Sequence, residues 1–146
     1  MTTAIQKLRE ETGAGVMDCK RALEEAGGDY NLAKQIIEKQ GVAKAAKKAE
    51  RETGAGLLES YLHNGRVGVL LELRSETDFV ARSEPVKALA HNLALQIAGM
   101  APETVEELLK QPYAKDESKT VEEVIKGVIA LVGENLKVAR FSRYQI

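Results

Sequence analysis

The hydrophobic pattern of this chain changes period partway along, and that change excludes a fold of one class. From Arg66 to Arg74, Val67, Val69, Leu71 and Leu73 alternate with Arg66, Gly68, Leu70, Glu72 and Arg74. That is the period of a strand with one buried face. Asn64-Gly65 separates this run from Leu57–His63, a second short strand. Asn and Gly tolerate the positive φ that a tight two-residue hairpin turn demands, so the two runs read as a hairpin.

Upstream, the period is helical. Thr3 and Gln6 have capping-box spacing, and Ile5 and Leu8 share a face. Thr12-Gly13-Ala14-Gly15 breaks that helix. Val16, Cys19, Leu23 and Ala26 form the inward stripe of a second, which Gly27-Gly28 stops. Asp29 caps a third, with Leu32, Ala33, Ile36 and Ile37 inward and Gly41 at its end. Residues 42–52 are Ala- and Lys-rich and read as an exposed helical linker.

Downstream, Ser75-Glu76-Thr77-Asp78 is a helix-start signature, and a longer helix begins near Pro85. Its stripe is Val86, Leu89, Ala90, Leu93, Ala94, Ile97 and Ala98. Thr104-Val105-Glu106-Glu107 and Thr120-Val121-Glu122-Glu123 are two further capping boxes. The second opens a helix with Val121, Val124, Ile125, Val128 and Val132 inward, stopped by Gly133. Residues 135–146 read as a last strand whose alternation slips at Ala139-Arg140, the mark of a bulge. The expected fold is α+β: a three-helix domain over residues 1–41, a helical linker over 42–55, and a core over 56–146. The core is a small antiparallel three-stranded sheet covered by helices.

Composition narrows the function. Hydrophobic residues make up 44% of the 146 and aromatics only 4%, so the core must be aliphatic. The formal charge is −1, which gives no global attraction to nucleic acid or an anionic membrane. Cys19 is the one cysteine, so no internal disulfide forms. No run approaches the roughly 20 apolar residues that span a bilayer. Met1 to Lys7 lead into no long apolar stretch, so no signal peptide is expected. The expected location is the cytoplasm.

Motifs of chemistry are scarce. Gly13-Ala14-Gly15-Val16-Met17-Asp18 lacks the third glycine of a dinucleotide fingerprint and follows a helix, not a strand. The two histidines, His63 and His91, lie on different elements, and one cysteine gives no zinc-ligand spacing. Neither a metal, nor a cofactor, nor enzymatic activity is expected. Lys44, Lys47, Lys48 and Arg51 share a helical face, diluted by Glu50 and Glu52. Phe79, one of two phenylalanines, stands in a first helical turn just after a strand. It is either a core or staple residue or a protruding anchor of the kind that dominates protein interfaces.

The run from Leu8 to Leu23, with Thr12-Gly13-Ala14-Gly15-Val16-Met17-Asp18-Cys19-Lys20 at its centre, resembles the amino-terminal signature of bacterial elongation factor Ts. Lys44-Ala45-Ala46-Lys47-Lys48, Gly65 to Leu70, Glu76-Thr77-Asp78-Phe79-Val80-Ala81 and Gly133-Glu134-Asn135 resemble further motifs of that family, in its order. The resemblance implies a guanine-nucleotide exchange factor for elongation factor Tu, with a ubiquitin-associated-like head. By the same resemblance, Val16, Met17 and Lys20 grip the partner's GTPase domain. Thr77, Asp78, Phe79 and Val80 push in near the nucleotide, disturb the Mg2+ site and loosen GDP. Val132 and Gly133 match another contact, and His63 matches a histidine that touches a further domain of the partner. Both the GDP-bound and nucleotide-free partner are implied.

The stretch between Met100 and Val121 is shorter than in typical members, and the core occurs once where longer members hold two copies. Two chains can supply the two copies, so a homodimer in a 2:2 complex is expected. No membrane contact and no direct nucleic-acid binding are expected. The competing readings are a stabiliser of elongation factor Tu without exchange activity, an RNA- or ribosome-binding module using the lysine face, and an enzyme with a hidden carboxylate site.

Overall fold

Asn64 and Gly65 take φ of 52° and 65°, and the Arg66 N–H donates to the His63 carbonyl at 2.9 Å. This turn joins β1 (Ala55–His63) to β2 (Val67–Ser75), and β5 (Leu136–Gln145) pairs antiparallel with the other side of β2. The computed structural model describes residues 2–146; Met1, the first residue of the expected head, lies outside them. The expected bulge is present. Glu72 pairs with Arg140 and Leu73 with Val138, so Ala139 is the extra residue.

One face of the sheet is dry. Val69, Leu71 and Leu73 point into it, and α5 (Glu84–Met100) lies across β1 and β2 with Val86, Leu89, Ala90, Leu93, Ala94 and Ile97 buried. Two further helices, α6 (Val105–Lys110) and α7 (Val121–Val132), complete the cover over β5. At Thr120 the capping box closes in both directions, each backbone N–H to side-chain bond being 3.2 Å. At Thr104 it closes in one: the hydroxyl caps Glu107, but the Glu107 carboxylate takes the Glu103 N–H instead. Between α6 and α7 stands a small hairpin that periodicity does not reveal, β3 (Pro112–Tyr113) with β4 (Asp116–Thr120). Buried Gln96 holds it, donating to the Pro112 carbonyl and accepting from the Ala114 N–H.

The head comprises α1 (Thr2–Thr12), α2 (Val16–Glu25) and α3 (Tyr30–Lys48). The α+β class and the order of helices then sheet are as expected. Four details differ. Thr3 lies inside α1, so it forms no capping box, and the Gln6 amide turns to Glu10. Val16 and Leu32 are 47% and 43% exposed, because Cys19, Ala22 and Leu23 of α2, Ala26 just past its end, and Ala33 and Ile37 of α3 already fill the small interior. The third helix does not stop at Gly41 but runs to Lys48. A lone glycine costs a helix only about 1 kcal/mol, and here its bare backbone admits α7. A Cβ at Gly41 would sit 3.2 Å from that of Ala130.

The head therefore leans on the core. Ala45, late in α3, is buried in the sheet's own cluster. Gly13, at φ 71°, lies under Leu131, and Lys119 pairs with Glu38 at 3.1 Å.

Candidate partner-binding surface

The chain leaves β2 through Ser75 and enters α4 (Asp78–Ala81), a single turn. Thr77 is its N-cap, the hydroxyl accepting the Val80 N–H at 3.3 Å. With so few residues the helix has two sides and no more. Val80 and Ala81 face the core and are buried. Phe79 points outward and is 84% exposed, with Asp78 beside it in solvent. A large apolar ring held in water on a structured turn is not a core or staple residue. It has the character of an anchor awaiting a pocket. Val80, one of the expected wedge residues, serves from the inside, fixing the depth of the turn.

Val132 and Gly133 adjoin this turn. Gly133 ends α7 at φ 78°, and the next residue, Glu134, accepts the Thr77 N–H and hydroxyl at 3.0 and 2.8 Å. The loop before Val16 touches Leu131 at the end of α7. The loop before α2 thus adjoins the end of α7, and the end of α7 adjoins the Phe79 turn. Met17 is 59% exposed at the start of α2, and Lys20 stands one turn on, loosely paired with Glu24 at 4.0 Å. Asp18 points back to α3, bonded to Lys44 at 3.1 Å and to Arg21 at 2.8 Å.

His63 is not brought near the Phe79 turn. Ala55 pairs with Ser75 beside the Phe79 turn, whereas His63 pairs with Val67 at the far end of the hairpin. Eight residues of strand place it roughly 25 Å away. Its ring nitrogen lies 2.7 Å from the Tyr61 hydroxyl.

The remaining candidates offer no reactive group. Cys19 is fully buried, and desolvation raises its thiol above the ordinary range. Two of the four basic residues on the 44–51 face are paired, Lys44 with Asp18 and Arg51 with Glu76. A cleft of about 680 Å³ runs between the head and the α7–β4 side. Of its lysines, Lys34, Lys44 and Lys119 are paired with Glu11, Asp18 and Glu38, and Asp116 and Glu123 also line it, so it concentrates no positive charge. Among the described residues no group of three His, Cys, Asp or Glu side chains is placed to hold a metal, and no helix is long and apolar enough to cross a membrane.

Glu134 and buried Asn135 enter the sequence reading only through the resemblance of Gly133-Glu134-Asn135 to a family motif, which assigns them no role or partner. The available signal is two polar residues between a helix-ending glycine and a strand. Alone it marks only a turn, because the partners lie 57 to 86 residues away.

Residues 76–146 match the family model described as Elongation factor TS. The chain is 42% identical to elongation factor Ts of Coprothermobacter proteolyticus, with 97% of this chain and 95% of the relative covered. It is 42% identical to that of Thermotoga petrophila at 97% and 94% coverage. It is also 38% identical to a chloroplastic polyprotein of EF-Ts from rice, of which it covers 17%. The first alignment spans 188 positions against a chain of 146 residues, so that bacterial relative carries residues this chain lacks. This chain belongs to the elongation factor Ts family of translation elongation factors.

Proposed function

We propose that this chain is a guanine-nucleotide exchange factor acting in the cytoplasm on elongation factor Tu. It binds the GDP-bound partner, presses Phe79 in near the nucleotide, disturbs the Mg2+ site and releases GDP so that GTP can reload. It makes and breaks no covalent bond and is not an enzyme. The observation that carries this reading is Phe79, 84% exposed on a turn whose opposite side is buried. Met17 and Lys20 dock the head, with Val16 beside them, and Val132 and Gly133 extend the contact. His63 reaches a separate part of the partner.

Energies set the division of labour. Preferring the nucleotide-free partner by 10⁴-fold requires about 5.5 kcal/mol. Burying one phenylalanine contributes roughly 1.5–3 kcal/mol, so Phe79 acts with other contacts. Asp78 is its companion, free to take a hydrogen bond from the partner. The test is release of fluorescent GDP from elongation factor Tu, with and without the chain. Phe79→Ala and Asp78→Ala should each slow release at least tenfold, non-additively when combined. Phe79→Ala should cost under about 0.5 kcal/mol of stability, since so exposed a ring has little packing to lose. Unchanged release by both folded variants would overturn the mechanism.

The sheet's other face supports a second part of the proposal. Leu58, Leu62, Leu70 and Tyr144 lie on it, 49–78% exposed, and Gly68 between Leu62 and Tyr144 leaves a shallow groove. An apolar, self-complementary face suits a two-fold dimer, and we propose that two copies meet there to form a 2:2 complex. Light scattering at micromolar concentrations should give a dimer, and Leu62→Glu should give a monomer. A native chain that stays monomeric, free and with its partner, would sink this part.

A further inference from the structure

The Phe79 turn is too short to hold itself in place. Its backbone bonds are three, Ala81 N–H to Thr77 and Arg82 N–H to Asp78, both 3.1 Å, and Ser83 N–H to Val80 at 3.0 Å, with the Ser83 hydroxyl also donating to the Val80 carbonyl at 2.6 Å. A single turn in isolation is unstable, so its orientation must come from outside. Val80 and Ala81 fix how deep it sits, but two small apolar contacts do not fix its heading.

The heading is set by a reciprocal polar knot. From one side, Glu134 extends its carboxylate to Thr77, one oxygen accepting the N–H at 3.0 Å and the other the hydroxyl at 2.8 Å. From the other, Glu76 extends its carboxylate back and accepts the Asn135 N–H at 2.7 Å. Two consecutive residues of one segment thus exchange carboxylate–amide bonds with two consecutive residues of the other. Thr77 is held at every polar atom, because its carbonyl also accepts from the Ser75 hydroxyl at 2.8 Å. Asn135, 5% exposed, then donates its side-chain amide to the Ala49 and Arg51 carbonyls at 3.3 and 3.0 Å. The knot therefore joins the turn bearing Phe79, the end of α7 and the segment leaving the head.

We infer that Glu134 is a positioning residue for nucleotide exchange: by clamping Thr77 it fixes the direction in which Phe79 meets the partner, with Asn135 and Glu76 tying that direction to the head. The inference rests on the exchange function proposed above. Phe79 has no packing of its own to keep it oriented, and a swinging ring spends binding energy on becoming ordered. A clamped ring delivers that energy to the partner.

The experiment compares native chain, Glu134→Gln and Glu134→Asp in three measurements. These are GDP release from elongation factor Tu at saturating factor, affinity for the GDP-bound partner, and amide hydrogen exchange at Thr77 in the free chain. Glutamine keeps the length but has one accepting oxygen, and aspartate keeps the charge but falls short by a methylene. Both should slow saturated release by about three- to tenfold, as expected for losing one charge-assisted bond at a partly exposed site. Both should speed Thr77 amide exchange, while affinity, held by the head, stays within about twofold. Direct contact of the Glu134 charge with the partner would instead spare Glu134→Asp and leave the Thr77 amide protected in the free chain, and that pattern overturns the inference. So does native release by both folded variants. A native chain that fails to accelerate release overturns the exchange function itself, and the positioning role with it.

Discussion

The head and the core each present an exposed apolar side chain, on foundations of different strength. Phe79 of the core and Met17 of the head are both large apolar side chains left in water. Beneath Phe79 lies a dry cluster of Leu, Ile and Val spanning β2, β5, α5 and α7. Beneath Met17 lies an interior of Leu8, Cys19, Ala22, Leu23, Ala26, Ala33 and Ile37, four of whose seven members are Ala or Cys. An interior that small buries little apolar surface. The head compensates by extending α3 past Gly41 onto α7, where Ala45 enters the core's own cluster. A small module can keep a large apolar side chain in water on a fixed helix when a larger neighbour holds it steady.

Leu71→Ala and Leu8→Ala test that contrast, since both leucines are fully buried. Leu71→Ala should cost about 3–5 kcal/mol and unfold the whole chain, because β2 is the central strand. Leu8→Ala should cost about 2–3 kcal/mol and melt the head first. Urea unfolding followed by amide exchange separates the outcomes. If Leu8→Ala deprotects α5 and β2 together with α1, head and core are one cooperative unit and the contrast collapses.

The seam offers a smaller perturbation. Gly13 and Gly27 have similar φ, 71° and 63°, so alanine pays the same left-handed penalty at each. A Cβ at Gly13 would also collide with Leu131, whereas Gly27 faces open space. Gly13→Ala should therefore cost about 2–3 kcal/mol against about 1 kcal/mol for Gly27→Ala, read from denaturation midpoints. Equal costs would mean that Leu131 yields freely and that the seam positions nothing.

Much of this arrangement is legible in the chain. Alternation around Asn64-Gly65 specifies the hairpin, because a period of two and a positive-φ turn leave few alternatives. The slip at Ala139 is visible for the same reason. The helix stop at Gly41 fails because a lone glycine is tolerated in a helix that packs closely on Ala130, 89 residues away and invisible to a local pattern. Val16 illustrates the same limit: spacing placed it on the inward stripe, and only the size of the interior excludes it. Phe79 is ambiguous in sequence, since a core residue and an anchor look alike until the turn's other side is seen to be filled. The resemblance picks out Gly133-Glu134-Asn135, but what Glu134 and Asn135 hold is unreadable because their partners are distant in the chain.

The smallest expected effect concerns the charge pair that fastens α2 to α3. Asp18 lies in the first turn of α2, where the helix dipole favours a carboxylate. The hydrogen bond from Lys44, and then the charges of Lys44 and Arg21, hold its carboxyl below the ordinary aspartate value of 3.8, outweighing the opposing effect of burial. A carboxyl whose folded pKa is depressed releases its proton more readily in the native state, so it stabilises the fold at pH above the unfolded value. That contribution is lost as pH falls through the folded value. Lys44 and Arg21 are 52% and 68% exposed, so solvent screens the pair and its contribution is about 0.2–1 kcal/mol. Asp18→Asn should lower the urea midpoint of the head at neutral pH by that amount. The gap between native and variant should close as pH falls below the ordinary aspartate value and through the lower folded one, where the native carboxylate is protonated too. It should also shrink at 1 M salt, where the screening length falls to roughly 3 Å. A gap that persists unchanged in acid and in salt would show that Asp18 acts through packing or capping, and that the head relies on α7 rather than on Lys44 to hold α2 and α3 in register.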